Sequence, residues 1–295
     1  MKTEYTASAL GCLLLKYILK FKFFSKFYLN KLDQIKYKKR TNNIAMNFET
    51  RPKENKQYTT EIHFETVLNQ AFANYKKIAL YAGLALFVFF FILVIVVSGI
   101  SANLIGQENI NEKSMMQLQK LMTIEPYVWY YIGFSIVLGS LLSPFMASFY
   151  KMADAAEKDL PFGVSDLFSY YKPKYFFTIF TTTIIIGLAT NGATLIADEL
   201  GLSFVGILIV LMINFITLFT IPLLIFEDAT VFNAVKTSIA IVLKQPMVIF
   251  LLVFLSLIGV LLGFFAFCIG IIFTYPFFIS MVYAIFKQVT NDVTS

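Results

Sequence analysis

The chain has 295 residues, 58% of them hydrophobic and 14% charged, with 33 phenylalanines. Soluble domains carry about 25% charged residues, and a single core of this size cannot hide so much aromatic surface, so the composition excludes an ordinary water-soluble globule. The formal charge of +6 is unevenly placed: residues 1–45 hold ten Lys or Arg against two acids, and the remainder holds 14 basic against 16 acidic residues, which removes the case for nucleic-acid binding by the body of the protein.

The first element is a basic, aromatic-rich tail, residues 1–45. Its apolar run Ala7–Leu15 is too short to span a bilayer. No small-residue cleavage site follows it, which argues against a signal peptide. Met46 opens the polar stretch MNFETRPKENKQ, and the tail is expected to lie upstream of the true start. The alternative is a basic segment on the membrane surface, where lysines beside anionic headgroups gain about 1 kcal/mol each.

Residues 46–77 form a cytoplasmic segment that ends in an amphipathic helix. Ile62, Phe64, Val67, Leu68, Ala71, Phe72 and Tyr75 follow the spacing of one helical face. Lys76 and Lys77 mark the cytoplasmic edge.

Six apolar stretches follow within residues 78–290, and none contains a charged side chain. The expected spans are 78–100, 127–149, 175–197, 202–226, 247–265 and 268–286. The loop after the first carries a short surface helix with Met115, Met116, Leu118, Leu121 and Met122. The second opens with Tyr127, Trp129, Tyr130 and Tyr131, which suit the headgroup interface. The run Met247–Phe286 would make about 60 Å of helix, against a hydrocarbon thickness of about 30 Å. It must fold back, most easily near Gly263–Gly270. The expected fold is all-α: a polytopic membrane protein with six transmembrane helices as three hairpins, flanked by cytoplasmic amphipathic segments.

Lysine placement sets the expected orientation. Lys151, Lys158, Lys172 and Lys174 follow span 2, Lys236 and Lys244 follow span 4, and Lys287 follows span 6. The loop after span 3 carries Asp198 and Glu199 and no Lys. Both termini are therefore expected in the cytoplasm. The chain also reads as one unit used three times: an amphipathic segment, a lysine edge, and a hairpin whose second span holds a proline. The prolines Pro144, Pro222 and Pro276 are candidate kinks, since each removes a backbone hydrogen bond.

HFETVLNQAFANYKKIALYAG, SPFMASFYKMADAAEKDLPFGVSDLFSYY and IPLLIFEDATVFNAVKTSIAIVLKQPMVIF, the last continuing to IGIIFTYPFFISMVYAIFKQV, cover most of residues 61–290. On these stretches the chain resembles a family of uncharacterised bacterial six-span membrane proteins. They are similar to the membrane domain attached to some glycerophosphoryl diester phosphodiesterases. The resemblance implies the six-span fold and a bacterial inner membrane; it implies no activity and no site residues. Proteins of this appearance are sometimes labelled carotene oxygenases, but such an iron site needs several histidines and this chain has one, His63.

Few residues offer chemistry. Cys12 and Cys268 form no motif and read as small hydrophobes. His63 reads as a surface residue. Asn191 and Asn214 are the strongest polar groups inside spans. An amide in hydrocarbon needs a partner, so each is expected to face another helix, as interhelical glue or as the lining of a polar path. Thr181, Thr182, Thr183 and Thr217 can bond to their own helix backbones. Gly259 and Gly263 form a GxxxG pair for close packing, within the chain or between copies. Asp154, Glu157, Asp159 and Asp166, interleaved with Lys151 and Lys158, read as a solvated helical face. Ion-coupled pumps place ionisable groups at depth, and these spans have none that is charged. The expected function is therefore non-enzymatic: a scaffold or accessory membrane subunit, with no cofactor and no metal. The alternative is a carrier or channel for a lipid or apolar small molecule, using Asn191 and Asn214. Expected partners are the lipid bilayer and a membrane protein, a second copy included.

Overall fold

A computed structural model describes residues 61–105, 124–265 and 270–291, together with Tyr58, Met116 and Lys120. The basic tail, Cys12, Cys268 and most of the surface helix expected near Met115 lie outside the described residues. Those described fold into eight α-helices and two short 3-10 helices, with no strand. The helices are α1 (Phe64–Ile105), α2 (Tyr127–Glu157), α3 (Pro173–Glu199), α4 (Ser203–Ile216), α5 (Thr220–Phe226), α6 (Val231–Lys244), α7 (Pro246–Leu262) and α8 (Gly270–Asn291). Six stretches are long and apolar enough to cross a bilayer: Phe64–Gly99, Tyr127–Glu157, Pro173–Glu199, Ser203–Phe226, Pro246–Phe265 and Gly270–Thr290. The protein is an all-α, multi-pass membrane protein.

Local chemistry accounts for the boundaries. Pro173 and Pro246 open α3 and α7, where a missing N–H leaves nothing unpaired. At the end of α2, Asp159 takes the left-handed conformation (φ 53°) and the Leu160 N–H reaches the Ala155 carbonyl at 2.8 Å, a Schellman-type stop. Gly201 (φ 69°) does the same for α3, with Leu202 N–H on the Ala197 carbonyl at 2.8 Å. That tight stop turns the chain directly into α4. Gly206 then lies so near that an added Cβ would come within 2.8 Å of the Ala197 methyl.

The three amphipathic segments take three different forms. The first is not separate from span 1: α1 is one helix of 42 residues, about 63 Å long. The second is a 3-10 helix, Val164–Tyr171, and the third is the independent helix α6. The expected repeat unit therefore has no common geometry in its amphipathic segment.

The core gathers on the C-terminal half of α8. Every residue from Met281 to Phe286 is no more than 2% exposed. α8 packs most extensively against α1, then against α7, and also meets α2. Val67, Ala71, Asn74, Ile78, Ala82 and Leu86 form the buried stripe of α1, at the three- and four-residue spacing of one face.

Candidate functional site

Many of the polar side chains inside the spans turn back onto the backbone, while Ser140, Thr220 and Ser280 are buried with hydroxyls that find no partner. In α3 the hydroxyls of Thr182 and Thr183 donate to the carbonyls of Thr178 and Ile179 at 2.7 and 2.9 Å, and Thr217 donates to Ile213 at 2.7 Å. The asparagines do the same. Asn191 Nδ2 donates to the Gly187 carbonyl and Asn214 Nδ2 to the Val210 carbonyl, each at 2.8 Å. The expected bonds across helices are thus replaced by bonds four residues back, because a short amide reaches its own helix as readily as a threonine does. Asn214 is exposed and Asn191 half-buried; no bond joins them.

At Pro144 and Pro222 hydroxyls take up loosened backbone groups. Helical backbone continues through Pro144 and Pro276. At Pro144 the carbonyl that loses its partner is that of Ser140, and the Ser143 hydroxyl donates to it at 2.9 Å. One residue on, the Tyr171 hydroxyl donates to the Leu141 carbonyl at 3.0 Å. Near Pro222 the helix breaks outright between α4 and α5. Ser238 of α6, fully buried, fills the break: its hydroxyl accepts from the Phe219 N–H at 3.0 Å and donates to the Ile216 carbonyl at 2.9 Å. Before Pro276, the Thr274 hydroxyl lies 2.9 Å from the Val260 carbonyl of α7 and 3.1 Å from the Gly270 carbonyl.

Gly259 and Gly263 face α8 of the same chain. A Cβ on Gly259 would come within 2.8 Å of the Phe277 ring, and one on Gly263 within 2.7 Å of the Gly270 backbone. The GxxxG pair therefore closes the α7–α8 hairpin, and bulky substitution there breaks the hairpin before it reports on any partner.

The densest ionic constellation lies where α2 ends. Three of the four carboxylates expected on a solvated face, Asp154, Asp159 and Asp166, also bind other elements, although Asp159 stays largely exposed. The Tyr283 hydroxyl, fully buried in α8, donates to Asp154 Oδ1 at 2.7 Å, while Lys158 holds Asp154 Oδ2 at 2.7 Å. Lys77 of α1 bridges the Ala156 carbonyl at 2.8 Å and Asp159 at 2.6 Å. Lys151 reaches Asp166 and Ser169 of the 3-10 helix at 2.6 and 2.8 Å. Asp166 Oδ2 also accepts the Gly163 N–H at 2.8 Å. The Lys151 ammonium first, then the Gly163 amide, hold the Asp166 carboxyl below its ordinary 3.8. Burial first, then the nearby Tyr175 and the carboxylates Asp154 and Asp166, push the Tyr170 hydroxyl up.

These bonds join α1, α2, α8 and the 3-10 helix at one junction. Among the described residues no group of three or more His, Cys, Asp or Glu is placed to hold a metal ion. Sequence reasoning names the carboxylates and misses their partners Tyr283 and Lys77; it also misses Ser169, which accepts from Lys151, and Ser238, which lies about twenty residues from the backbone it repairs. His63 is exposed, and its backbone N–H donates to Gln288 Oε1 at 3.1 Å. Compared with models of known protein families, with curated proteins and with solved structures, the chain matches none of them.

Proposed function

We propose that this chain is a non-enzymatic scaffold or accessory subunit of a bacterial inner membrane, with both termini in the cytoplasm. One observation supports this above others: most threonines of α3, and the asparagines of α3 and α4, bond to their own backbones. What the spans then offer their surroundings is apolar helix surface, including Phe90 to Ile92 and Val94 to Val97 of α1, each 45–59% exposed. Such a surface meets lipid or another helix, and helices in lipid associate by packing and interhelical bonds. The lysine distribution supports the orientation, and the stretches that resemble uncharacterised bacterial six-span proteins support the compartment. A carrier built on Asn191 and Asn214 would need their amides to share a path, and each is bonded to its own helix.

The test is the mass of the full chain, purified in a mild detergent and measured by native mass spectrometry. A defined oligomer, or a membrane protein retained in fixed ratio, is the expected result. A monomer at every protein concentration, without a protein partner, overturns the proposal. For orientation, a reporter placed at residue 110 should read outside the cytoplasm.

A further inference from the structure

A groove of about 470 Å³ runs between α1 and α7, floored by Phe277 of α8. That volume lies within the range of about 300–1,000 Å³ typical of small-molecule sites. Its two walls differ in kind. The α7 wall is apolar: Leu255, Ile258 and Leu262, with Gly259 opening the floor. The α1 wall carries Asn69 and Lys76 beside Phe72. The Lys76 ammonium sits 5.1 Å above the Phe72 ring, a geometry that keeps a cation at the groove. No carboxylate lines the groove. Lys77, Lys151, Lys158 and Lys174 are each paired with an aspartate; among the described residues Lys76, like Lys172, Lys236 and Lys287, makes no such pair, and of these four only Lys76 lines the groove.

An apolar wall facing a wall with an unpaired cation and an amide fits an amphiphile with a negative head. In a membrane protein the abundant molecule of that chemistry is an anionic glycerophospholipid. We propose that the groove holds one such lipid, an acyl chain along α7 over Phe277 and the phosphate at Lys76 and Asn69. The site stands apart from the scaffold reading, since a monomer and an oligomer can each carry it.

The test uses the full chain in mild detergent with equal amounts of phosphatidylglycerol and phosphatidylcholine, read by native mass spectrometry. One phosphatidylglycerol should be retained over phosphatidylcholine by about fivefold, the ratio expected of one lysine acting on an anionic lipid. Lys76→Gln should remove the preference, and Lys174→Gln should keep it. Ala73→Trp, which fills the groove from an exposed position, should lower retention of both lipids. Circular dichroism checks that each variant keeps its helicity. Equal retention of the two lipids by the unaltered chain overturns the proposal. So does a preference that survives Lys76→Gln, or retention unchanged in Ala73→Trp. A second copy of the chain bound in the groove in place of lipid also overturns it.

Discussion

The two helices of the last hairpin, α7 and α8, run side by side and behave oppositely. α7 is the more apolar, yet only 22% of its most hydrophobic stretch is buried, against 56% for α8. Leu251, Phe254, Leu257 and Leu261 of α7 face outward. The buried interior belongs to α8, with Ser280, Tyr283 and Ala284 among its enclosed residues. In water the most apolar segment would be the core. In lipid, burying apolar surface gains little over leaving it against acyl chains, so apolarity alone does not decide which helix is interior. α1 repeats the contrast along one helix: its amphipathic first half packs on α8, and its most apolar second half is largely bare.

Four substitutions test this contrast. The largest effect is expected from Gly263→Ile, at the closest approach of α7 to Gly270 and Thr274. Overpacking there should cost about 3 kcal/mol or more, seen as lost folded yield and a lower Tm in detergent. A variant as stable as the parent would mean that the hairpin is not closed by this contact.

Next comes Tyr283→Phe, which removes the hydroxyl from Asp154 in the buried interior of α8. A loss of about 1–2 kcal/mol is expected from a charged acceptor that loses one donor. Because Lys158 still holds the other oxygen, a loss well above that range would show that Asp154 depends on Tyr283 alone.

Asp166→Asn should cost about 1 kcal/mol or less, since the pair with Lys151 is partly exposed. The pH dependence has a definite sign. The folded carboxyl is held below 3.8, so its contribution is present above the unfolded value and fades as pH falls through the folded one. Parent and variant should differ in Tm at pH 7 and converge well below pH 4. A gap that persists in acid would assign the effect to something other than the ionised carboxylate.

The smallest effect belongs to α7. Leu257 is 45% exposed, and Leu257→Ala should change stability by less than about 0.5 kcal/mol. A loss of 2 kcal/mol or more, the cost of a core leucine, would place this face against protein and would itself point to a partner helix.

Much of the architecture is legible from the chain alone, because a bilayer imposes a length on every apolar run and forbids unpaired backbone within it. That is why six spans, their approximate positions and the fold-back after Gly263 are readable without coordinates. The candidate residues are less so. Asn191 and Asn214 are polar groups inside spans on any reading, yet whether an amide bonds across helices or to its own carbonyl depends on its rotamer and neighbours. Gly259 and Gly263 announce close packing, and only the tertiary structure supplies Phe277, Gly270 and Thr274 as what they pack against.

By itself the sequence determined the solvent of this protein and the number of times it crosses it, because hydropathy and length are local properties. Tertiary structure alone decided which face of each helix is interior. It joined Tyr283 to Asp154, 129 residues apart, and set Ser238 into the break of the fourth span. It also laid the unpaired Lys76 opposite an apolar wall. Those pairings join residues distant along the chain, and in a medium where hydrophobicity no longer sorts inside from outside, no local pattern encodes them.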